Sequence, residues 1–363
     1  MLPPADRRVD TVRMRTWLAL AGVVLLAACT GTLPAPPPTA ALPAPSASPT
    51  PSPTASPRGV RPFERVQPVT LPADSGYLAV DRERIAYAEG TGITVLEVAT
   101  GQRRTVFQAT PGWGVALSSR ALRGEVLVLL ESRTDGQRTD ARVIRLDLRA
   151  NTRATLDDWS GPFLGGGDTW NPEPPVTNGT DAAWVRITDE QRPFAVDAVL
   201  WRGNALTVLR TGTSATWLDL HDDGRVAIST LINANDRAEL VVWRAGQVSA
   251  LGTRVSADGG PARFVGDRVF WALRPGIVAR IERGHLIGDG GAAQDVDLGG
   301  CAFTGATARH LALACGTGTP SWTLLDPATG ARGDAIPSAL LVAGPRAAVW
   351  REGPAWTLGT LAP

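Results

Sequence analysis

Three histidines are the side chains of this sequence best suited to acid–base or metal chemistry near neutral pH. They are His221, His285 and His310, and each lies in a different stretch of the chain. No H-E-x-x-H, G-x-S-x-G, P-loop or G-x-G-x-x-G pattern accompanies them. We therefore expect structural or surface histidines. A metal site assembled from residues that are distant in sequence is the open alternative.

A second candidate is the aromatic and acidic segment 157–175, DDWSGPFLGGGDTWNPEPP, which we expect to be an inserted loop that lengthens one spacing of the repeat described below. Its candidate ligand-binding residues are Trp159, Phe163, Asp168 and Trp170. Exposed indole rings beside carboxylates can stack on a sugar ring or a peptide aromatic while the carboxylates accept hydrogen bonds. In the alternative interpretation, the segment folds over its own part of the protein and its tryptophans fill the underside.

Cys301 and Cys315 are spaced to form a disulfide across one hairpin. If the two face each other on antiparallel strands, two further pairs are opposed: Phe303 with Leu313 and Gly305 with Leu311. These residues then share one apolar face, because side chains alternate along a strand. Opposed strand residues have Cα atoms about 4.5–5.5 Å apart, which a disulfide accepts. The spacing predicts a bridge, and two buried free thiols are the alternative.

The third cysteine, Cys29, follows the short apolar run 17–28, WLALAGVVLLAA, which Arg13 and Arg15 precede. A spanning helix needs roughly 20 apolar residues, so this run is typical of a secretory signal peptide. Residues 26–31, LAACTG, resemble the lipobox of bacterial lipoproteins. The resemblance implies cleavage before Cys29 and acylation of its sulfur and its new amine. The expected location is the extracytoplasmic side of a bacterial envelope membrane; an ordinary signal peptide is the alternative.

Residues 33–57 are almost entirely Pro, Ala, Ser and Thr. Such a segment cannot bury enough apolar surface to fold, and its prolines favour an extended chain. The expected organisation is a signal peptide at 1–28, the lipidated cysteine and a disordered tether at 29–62, and a folded domain at 63–363.

The folded domain contains a repeated unit in which a short apolar strand, a turn rich in Gly, Asp or Asn, and a second strand follow one another. The second strands begin at Ile85, Val126, Ala183, Val226, Val269, Leu311 and Ala348. Their successive spacings are 41, 57, 43, 43, 42 and 37 residues. A spacing near 42 residues is typical of a four-stranded propeller blade of roughly 40–45 residues.

The two ends of the domain complement each other. The last unit stops at Pro363 without an outer strand, whereas residues 64–71 form a strand with no unit of their own. Closing a ring removes exposed strand edges. We therefore predict an all-β, seven-bladed β-propeller whose N-terminal strand completes the last blade, with six blades as the alternative.

Two turns carry a family resemblance. Residues 326–330, DPATG, and 98–101, VATG, look like the D-x-x-T-G hairpin turn of bacterial TolB-like, WD40-like and quinoprotein-like propellers. The resemblance covers most of residues 64–363 and implies the fold alone. Quinoprotein blades typically continue this turn to a docking tryptophan, whereas residues 332–334 here read RGD, which counts against a quinone cofactor.

Composition limits the function further. The chain has 36 basic and 35 acidic residues, a balance without the charge excess of a nucleic-acid-binding protein or a polybasic membrane patch. The leading hypothesis is a non-catalytic module, without a cofactor, that binds an envelope protein or an extracellular ligand. The alternative is a hydrolase or lactonase with a divalent metal in the axial channel. Convergent Asp, Glu, Asn or His side chains at a channel mouth would favour the enzyme, and an apolar or Arg-lined channel would favour the binding module.

Overall fold

The computed structural model describes residues 62–361, apart from 74, 136–137, 163–173, 189–194, 234–236, 256–258, 274–280, 289–290, 317–320 and 339. Every regular element in this part of the chain is a β-strand. None of the described residues forms a helix that could cross a membrane.

The strands form seven blades around a central channel. Strand β1 (Phe63–Val69) comes first in the chain. Blade one contains β2 (Gly76–Val80), β3 (Arg84–Glu89), β4 (Gly92–Glu97) and β5 (Arg103–Gln108). Blade two contains β6 (Gly114–Ala116), β7 (Leu122–Arg123), β8 (Val126–Asp135), β9 (Arg138–Asp147) and β10 (Thr152–Pro162). Blade three contains β11 (Val176–Thr177), β12 (Ala182–Ile187), β13 (Ala195–Arg202) and the first half of β14 (Ala205–Leu220).

The second half of β14 begins blade four, which continues with β15 (Val226–Asn233), β16 (Arg237–Arg244) and β17 (Gln247–Val255). Blade five contains β18 (Gly259–Val265), β19 (Arg268–Leu273), β20 (Arg283–Ile287) and β21 (Ala293–Asp297). Blade six contains β22 (Ala302–Ala306), β23 (Leu311–Cys315), β24 (Ser321–Leu325) and β25 (Ile336–Pro337). Blade seven contains β26 (Leu340–Ala343), β27 (Ala347–Glu352), β28 (Ala355–Leu361) and, outermost, β1.

The predicted ring closure is confirmed. Strand β1 pairs antiparallel with β28, from Phe63 opposite Leu361 to Val69 opposite Trp356. The Phe63 ring stacks on Trp350 with 5.3 Å between ring centroids. The ring also covers Gly359, where a Cβ atom would lie 2.5 Å from it, so this position requires glycine. Seven blades, not six, make up the ring.

The core lies between successive blades. The seven predicted second strands all lie in the second strands of blades. The tryptophans of these strands and of the third strand of blade four are buried. Trp184, Trp243, Trp271 and Trp350 are each exposed by 9% or less. Blade packing therefore accounts for these indole rings.

The outer strands of blades one to four each contain a bulge. In each, one extra residue separates two paired positions and lies half-buried against the core: Val106, Leu156, Leu209 and Leu251. A bulge interrupts the regular row of backbone donors and acceptors along a strand edge. These four edges are therefore poor templates for pairing with another chain.

The long spacing between the second strands of blades two and three has a different origin from the one expected. Residues 157–162 are not a loop, because they extend β10 and pair with residues 138–143 of β9. Strands β8, β9 and β10 have 10, 10 and 11 residues, whereas β3, β4 and β5 of blade one have 6 each. Much of the additional sequence between these second strands therefore lengthens the strands of blade two and makes its sheet taller.

The Cys301–Cys315 disulfide is confirmed, with the two Cα atoms 4.3 Å apart. The predicted register is correct at Phe303, which opposes Leu313, but wrong further along. A bulge at Thr304 shifts the pairing, so Gly305 opposes Ala312 and not Leu311. Leu311 instead opposes Ala306, and both pack into the same core cluster as Cys301. The bulge keeps the buried face apolar.

Candidate functional site

The innermost strand of blade two is interrupted at the channel. Between β6 and β7, five residues (117–121) face only two residues of β8, Val128 and Leu129. The surplus residues leave the sheet, and we call them the axial loop. A hydrogen bond from the Val128 backbone N–H to the Ala121 carbonyl, with an N–O distance of 2.9 Å, holds the end of the axial loop.

Arg120 of the axial loop crosses the channel. Its Nη1 donates to Asp219 Oδ2 of blade four at 2.6 Å, and its Nη2 donates to the Ala306 carbonyl of blade six at 2.9 Å. Its own carbonyl accepts a hydrogen bond from Thr177 of blade three at 3.0 Å. A side chain from blade two reaches the inner strands of blades four and six only by spanning the axis. The channel is therefore filled by a guanidinium group.

The partner of Arg120 is fully buried. Asp219 has no exposed surface, and its Oδ2 also accepts a hydrogen bond from the Phe264 backbone N–H of blade five at 2.7 Å. Burial lowers the pKa of Arg120 from its usual value; Asp219 opposes this shift, and the nearby cation of Arg263 adds to it. An arginine stays charged in proteins, so the channel holds a desolvated ion pair.

Hydrogen bonds on one face of the ring join every blade to the next. We call this the turn face, because it carries the turns between the first and second strands of the blades. The donor–acceptor pairs, taken in order around the ring, are Gly124–Asp81, Thr177–Arg120, Asn178–His221, Arg225–Asp267, Gly266–Ala308, Ala308–Pro345 and Arg82–Leu361.

Above Arg120, ion pairs narrow the channel mouth on the turn face. Asp222 of blade four pairs with Arg123 of blade two, and its Oδ2 lies 3.5 Å from Arg346 Nη2 of blade seven. A pocket of about 40 Å³ remains there, lined in part by His221. That volume suits a water molecule and not an organic substrate.

The three histidines lie apart. His221 Nδ1 lies 2.8 Å from Asp223 Oδ1 on the turn face, and His285 Nδ1 lies 2.6 Å from Asp295 Oδ1 within blade five. His310 lines a separate groove of about 640 Å³ beside blades five and six. No group of three or more His, Cys, Asp or Glu side chains suited to hold a metal ion occurs among the described residues.

The aromatic segment is only partly described. Trp159 lies on β10 and packs half-buried against the core of blade two. Phe163, Asp168 and Trp170 lie outside the described residues, as does Cys29. The first residue of the segment, Asp157, supports the fold, because its carboxylate accepts a hydrogen bond from Trp184 Nε1 of blade three at 3.1 Å.

The taller sheet of blade two carries a row of opposed charges. Strand β8 starts at the turn face, so the tip of the β8–β9 hairpin lies on the opposite side of the ring. One side of this hairpin holds three opposed pairs, which we call the charged ladder: Glu131 with Arg142, Arg133 with Asp140, and Asp135 with Arg138. Glu131 Oε2 lies 2.6 Å from Arg142 Nε, and Asp140 Oδ2 lies 2.8 Å from Arg133 Nη2.

Trp113 packs on the ladder. The centre of its indole ring lies 4.5 Å from the Arg142 guanidinium carbon and 5.2 Å from that of Arg133. Beneath it, Glu131 is fully buried; burial raises the pKa of its carboxyl group, but hydrogen bonds from Arg142 and the Thr110 backbone outweigh that effect and lower the pKa. The ladder is therefore anchored at its base and exposed toward its tip.

Sequence reasoning missed Arg120, Asp219 and Trp113. Asp219 had a usable signal, since it interrupts the apolar run 217–220, WLDL, shortly before the predicted second strand that begins at Val226. In the innermost strand of a propeller blade, a charged residue among apolar ones indicates a side chain in the central channel. Arg120 gave no signal of this kind, because its role depends on the register break between β6 and β7.

Comparisons with known proteins agree with the fold. No protein-family model matches the chain. No curated protein matches it either. A chain in the crystal structure of the mitotic checkpoint complex is 13% identical and has a TM-score of 0.51, covering 90% of this chain and 99% of its own.

Two archaeal proteins are also similar. The propeller domain of the Trilobed protease from Pyrococcus furiosus is 13% identical, covers 77% of this chain and 90% of its own, and has a TM-score of 0.48. An acylaminoacyl peptidase from Pyrococcus horikoshii is 12% identical, covers 76% of this chain and 48% of its own, and also has a TM-score of 0.48. The likeness to the chain of the mitotic checkpoint complex, at 13% identity, shows the fold alone.

Proposed function

We propose that this protein is a lipid-anchored, extracytoplasmic binding module, in which Cys29 carries the lipid and the propeller binds an envelope protein or an extracellular ligand without catalysis. The observation that carries the proposal is the guanidinium group of Arg120 across the channel. An Arg-filled channel is the arrangement expected of a binding module.

The competing function, a hydrolase or lactonase with an axial divalent ion, needs oxygen or imidazole ligands that converge on an open position. The Arg120 guanidinium occupies that position and would repel a divalent cation. Asp219, the carboxylate nearest to it, already accepts hydrogen bonds from Arg120 and from Phe264. These contacts favour the binding module.

A divalent-ion titration of the purified full-length protein separates the two functions. A ligand that binds only the folded state raises the thermal midpoint. Because we expect no ion to bind in the channel, added Ca²⁺, Mg²⁺ or Zn²⁺ should leave the midpoint unchanged. Asp219→Asn serves as the control. A raised midpoint with stoichiometric ion uptake that Asp219→Asn abolishes would replace the binding module with the metalloenzyme.

The anchor is tested separately by cell fractionation. The Cys29→Ser variant should move from the membrane fraction to a soluble or unprocessed form, because a serine cannot carry the thioether-linked lipid. Equal membrane partitioning of the wild type and the variant would contradict lipidation at Cys29.

A further inference from the structure

We propose that Trp113 and the charged ladder form a polysaccharide-binding surface, on which a sugar ring stacks against the indole while its hydroxyl groups bond to the ladder. The proposal rests on the binding function proposed above and names the class of ligand. It concerns the hairpin of blade two and the turn before β6.

Trp113 packs against the core of blade two and remains partly exposed. Its backbone N–H donates to the Thr110 carbonyl at 2.9 Å, and the residues on either side are the exposed glycines Gly112 and Gly114. Neighbours without side chains leave the indole accessible. Arg133 and Arg142 stack on the ring and fix its orientation. An aromatic ring fixed before binding loses little conformational entropy when a ligand stacks on it.

The ladder supplies hydrogen-bonding groups beside this ring. The Arg133 side chain is 52% exposed and its partner Asp140 is 30% exposed, so both reach solvent while they remain paired. A carboxylate accepts hydrogen bonds from sugar hydroxyl groups and a guanidinium donates to them, and charge-assisted bonds of this kind are stronger than neutral ones. The ladder thus offers donors and acceptors in alternation along the hairpin.

Stability does not explain the two outer pairs of the ladder, Arg133 with Asp140 and Asp135 with Arg138. Exposed ion pairs contribute about 0–1 kcal/mol each at most. The tip of the hairpin also lies beyond the interface between blades, since Arg133, Thr134 and Asp135 are exposed. The solvated outer pairs of the ladder, next to a partly exposed tryptophan, are therefore better explained by recognition.

The chemistry of the surface favours a sugar over a protein. A stable protein interface buries about 800 Å² on each partner around an apolar centre. The exposed large hydrophobic side chains of the described residues lie on other strands, at Val66, Tyr77, Leu206, Val208, Val248 and Leu340. The hairpin offers one aromatic ring among polar groups, which suits a polyhydroxylated ligand.

The experiment measures co-sedimentation of full-length protein in detergent micelles with insoluble chitin, cellulose and purified peptidoglycan. We expect binding to at least one of them, weakened about tenfold or more by Trp113→Ala, as for a single hot-spot residue. Trp113→Phe, which keeps an aromatic ring, should restore most of the binding, and Asp140→Ala should weaken it further.

The matched control is Trp201→Ala. Trp201 is also half-buried, and the guanidinium carbon of Arg145 lies 5.7 Å from its ring centre, but it lies on β13 of blade three, away from the ladder. This variant should bind as the wild type does. Equal losses in the Trp113 and Trp201 variants would overturn the proposal, because the loss would then reflect general damage to the fold.

Failure of this proposal is distinguishable from failure of the proposed function. If no polysaccharide binds, the sugar-binding surface is wrong. A photo-crosslinker in place of Arg133 then decides the broader question: an envelope protein captured in cells through that position preserves the binding module with a protein ligand.

Discussion

Two arginine–aspartate pairs of this protein have nearly the same geometry and different surroundings. Arg120 and Asp219 meet at 2.6 Å in the channel with 7% and 0% of their side chains exposed. Arg133 and Asp140 meet at 2.8 Å on the blade-two hairpin with 52% and 30% exposed. The axial pair cannot exchange its partners for water, so losing one partner strands a buried charge. The hairpin pair can exchange its partners for water, so its charged groups are available to a ligand.

The axial pair also links parts of the ring that do not touch through their sheets. In most repeat proteins each unit contacts only its neighbours. Here Arg120 joins blade two to blades four and six, and Asp222 joins blade four to blades two and seven. The turn face therefore acts as one connected unit, whereas the charged ladder belongs to a single blade.

The largest expected effect comes from breaking the axial pair. Asp219→Ala should lower the free energy of unfolding by about 3–5 kcal/mol, because the Arg120 cation remains buried without its counterion. Denaturant titration measures this change as a lower midpoint. Asp140→Ala is the matched control and should leave the midpoint nearly unchanged.

The double variant Arg120→Met, Asp219→Leu sharpens the comparison. It removes both charges and keeps apolar volume in the channel, so it should recover most of the stability lost in Asp219→Ala. If Asp219→Ala and Asp140→Ala destabilised the protein equally, the difference between the buried and the solvated pair would be refuted.

The sequence determined the fold more completely than the site. Spacing near 42 residues, turn chemistry and the unmatched strand at residues 64–71 predicted seven blades and their closure, because these features are local and repeat. The pairing of Cys301 with Cys315 was also predictable. The bulge at Thr304 was not, since the alternation of residues in that hairpin fits either register.

Departures from the repeat were the hardest to predict. The axial loop arises where β6 and β7 take different registers on β8, and nothing in residues 117–121 marks them as crossing a channel. Trp113 resembles the other tryptophans in sequence, and its distinct role depends on which face of the hairpin carries the arginines. Both features depend on contacts between segments that are distant in sequence.

Removing a covalent link within one blade should lower the free energy of unfolding by less than breaking the axial pair does. Replacing both Cys301 and Cys315 by alanine opens a loop with a sequence separation of 14 residues. The chain-entropy model assigns about 3 kcal/mol to such a loop. Denaturant titration of the double variant against the wild type measures the loss. A loss larger than that of Asp219→Ala would contradict the view that links between blades stabilise the ring more than links within a blade.

The smallest expected effect is a pH dependence of the free energy of unfolding, caused by His310 on the turn face. Burial lowers the pKa of His310 below its usual value; Arg309 adds to this shift and Asp326 opposes it. An unfolded histidine has a pKa of about 6.5, so below that pH the unfolded chain binds a proton that the folded protein does not. The free energy of unfolding should therefore rise with pH up to about 6.5 and level off above it. His310→Gln should reduce that slope, whereas Asp140→Ala should not, because an aspartate whose pKa lies below its ordinary value is ionised in both the folded and the unfolded state between pH 5 and 8. Denaturant titrations between pH 5 and 8 measure the slopes, and equal slopes for His310→Gln and the wild type would show that His310 is not the titrating group.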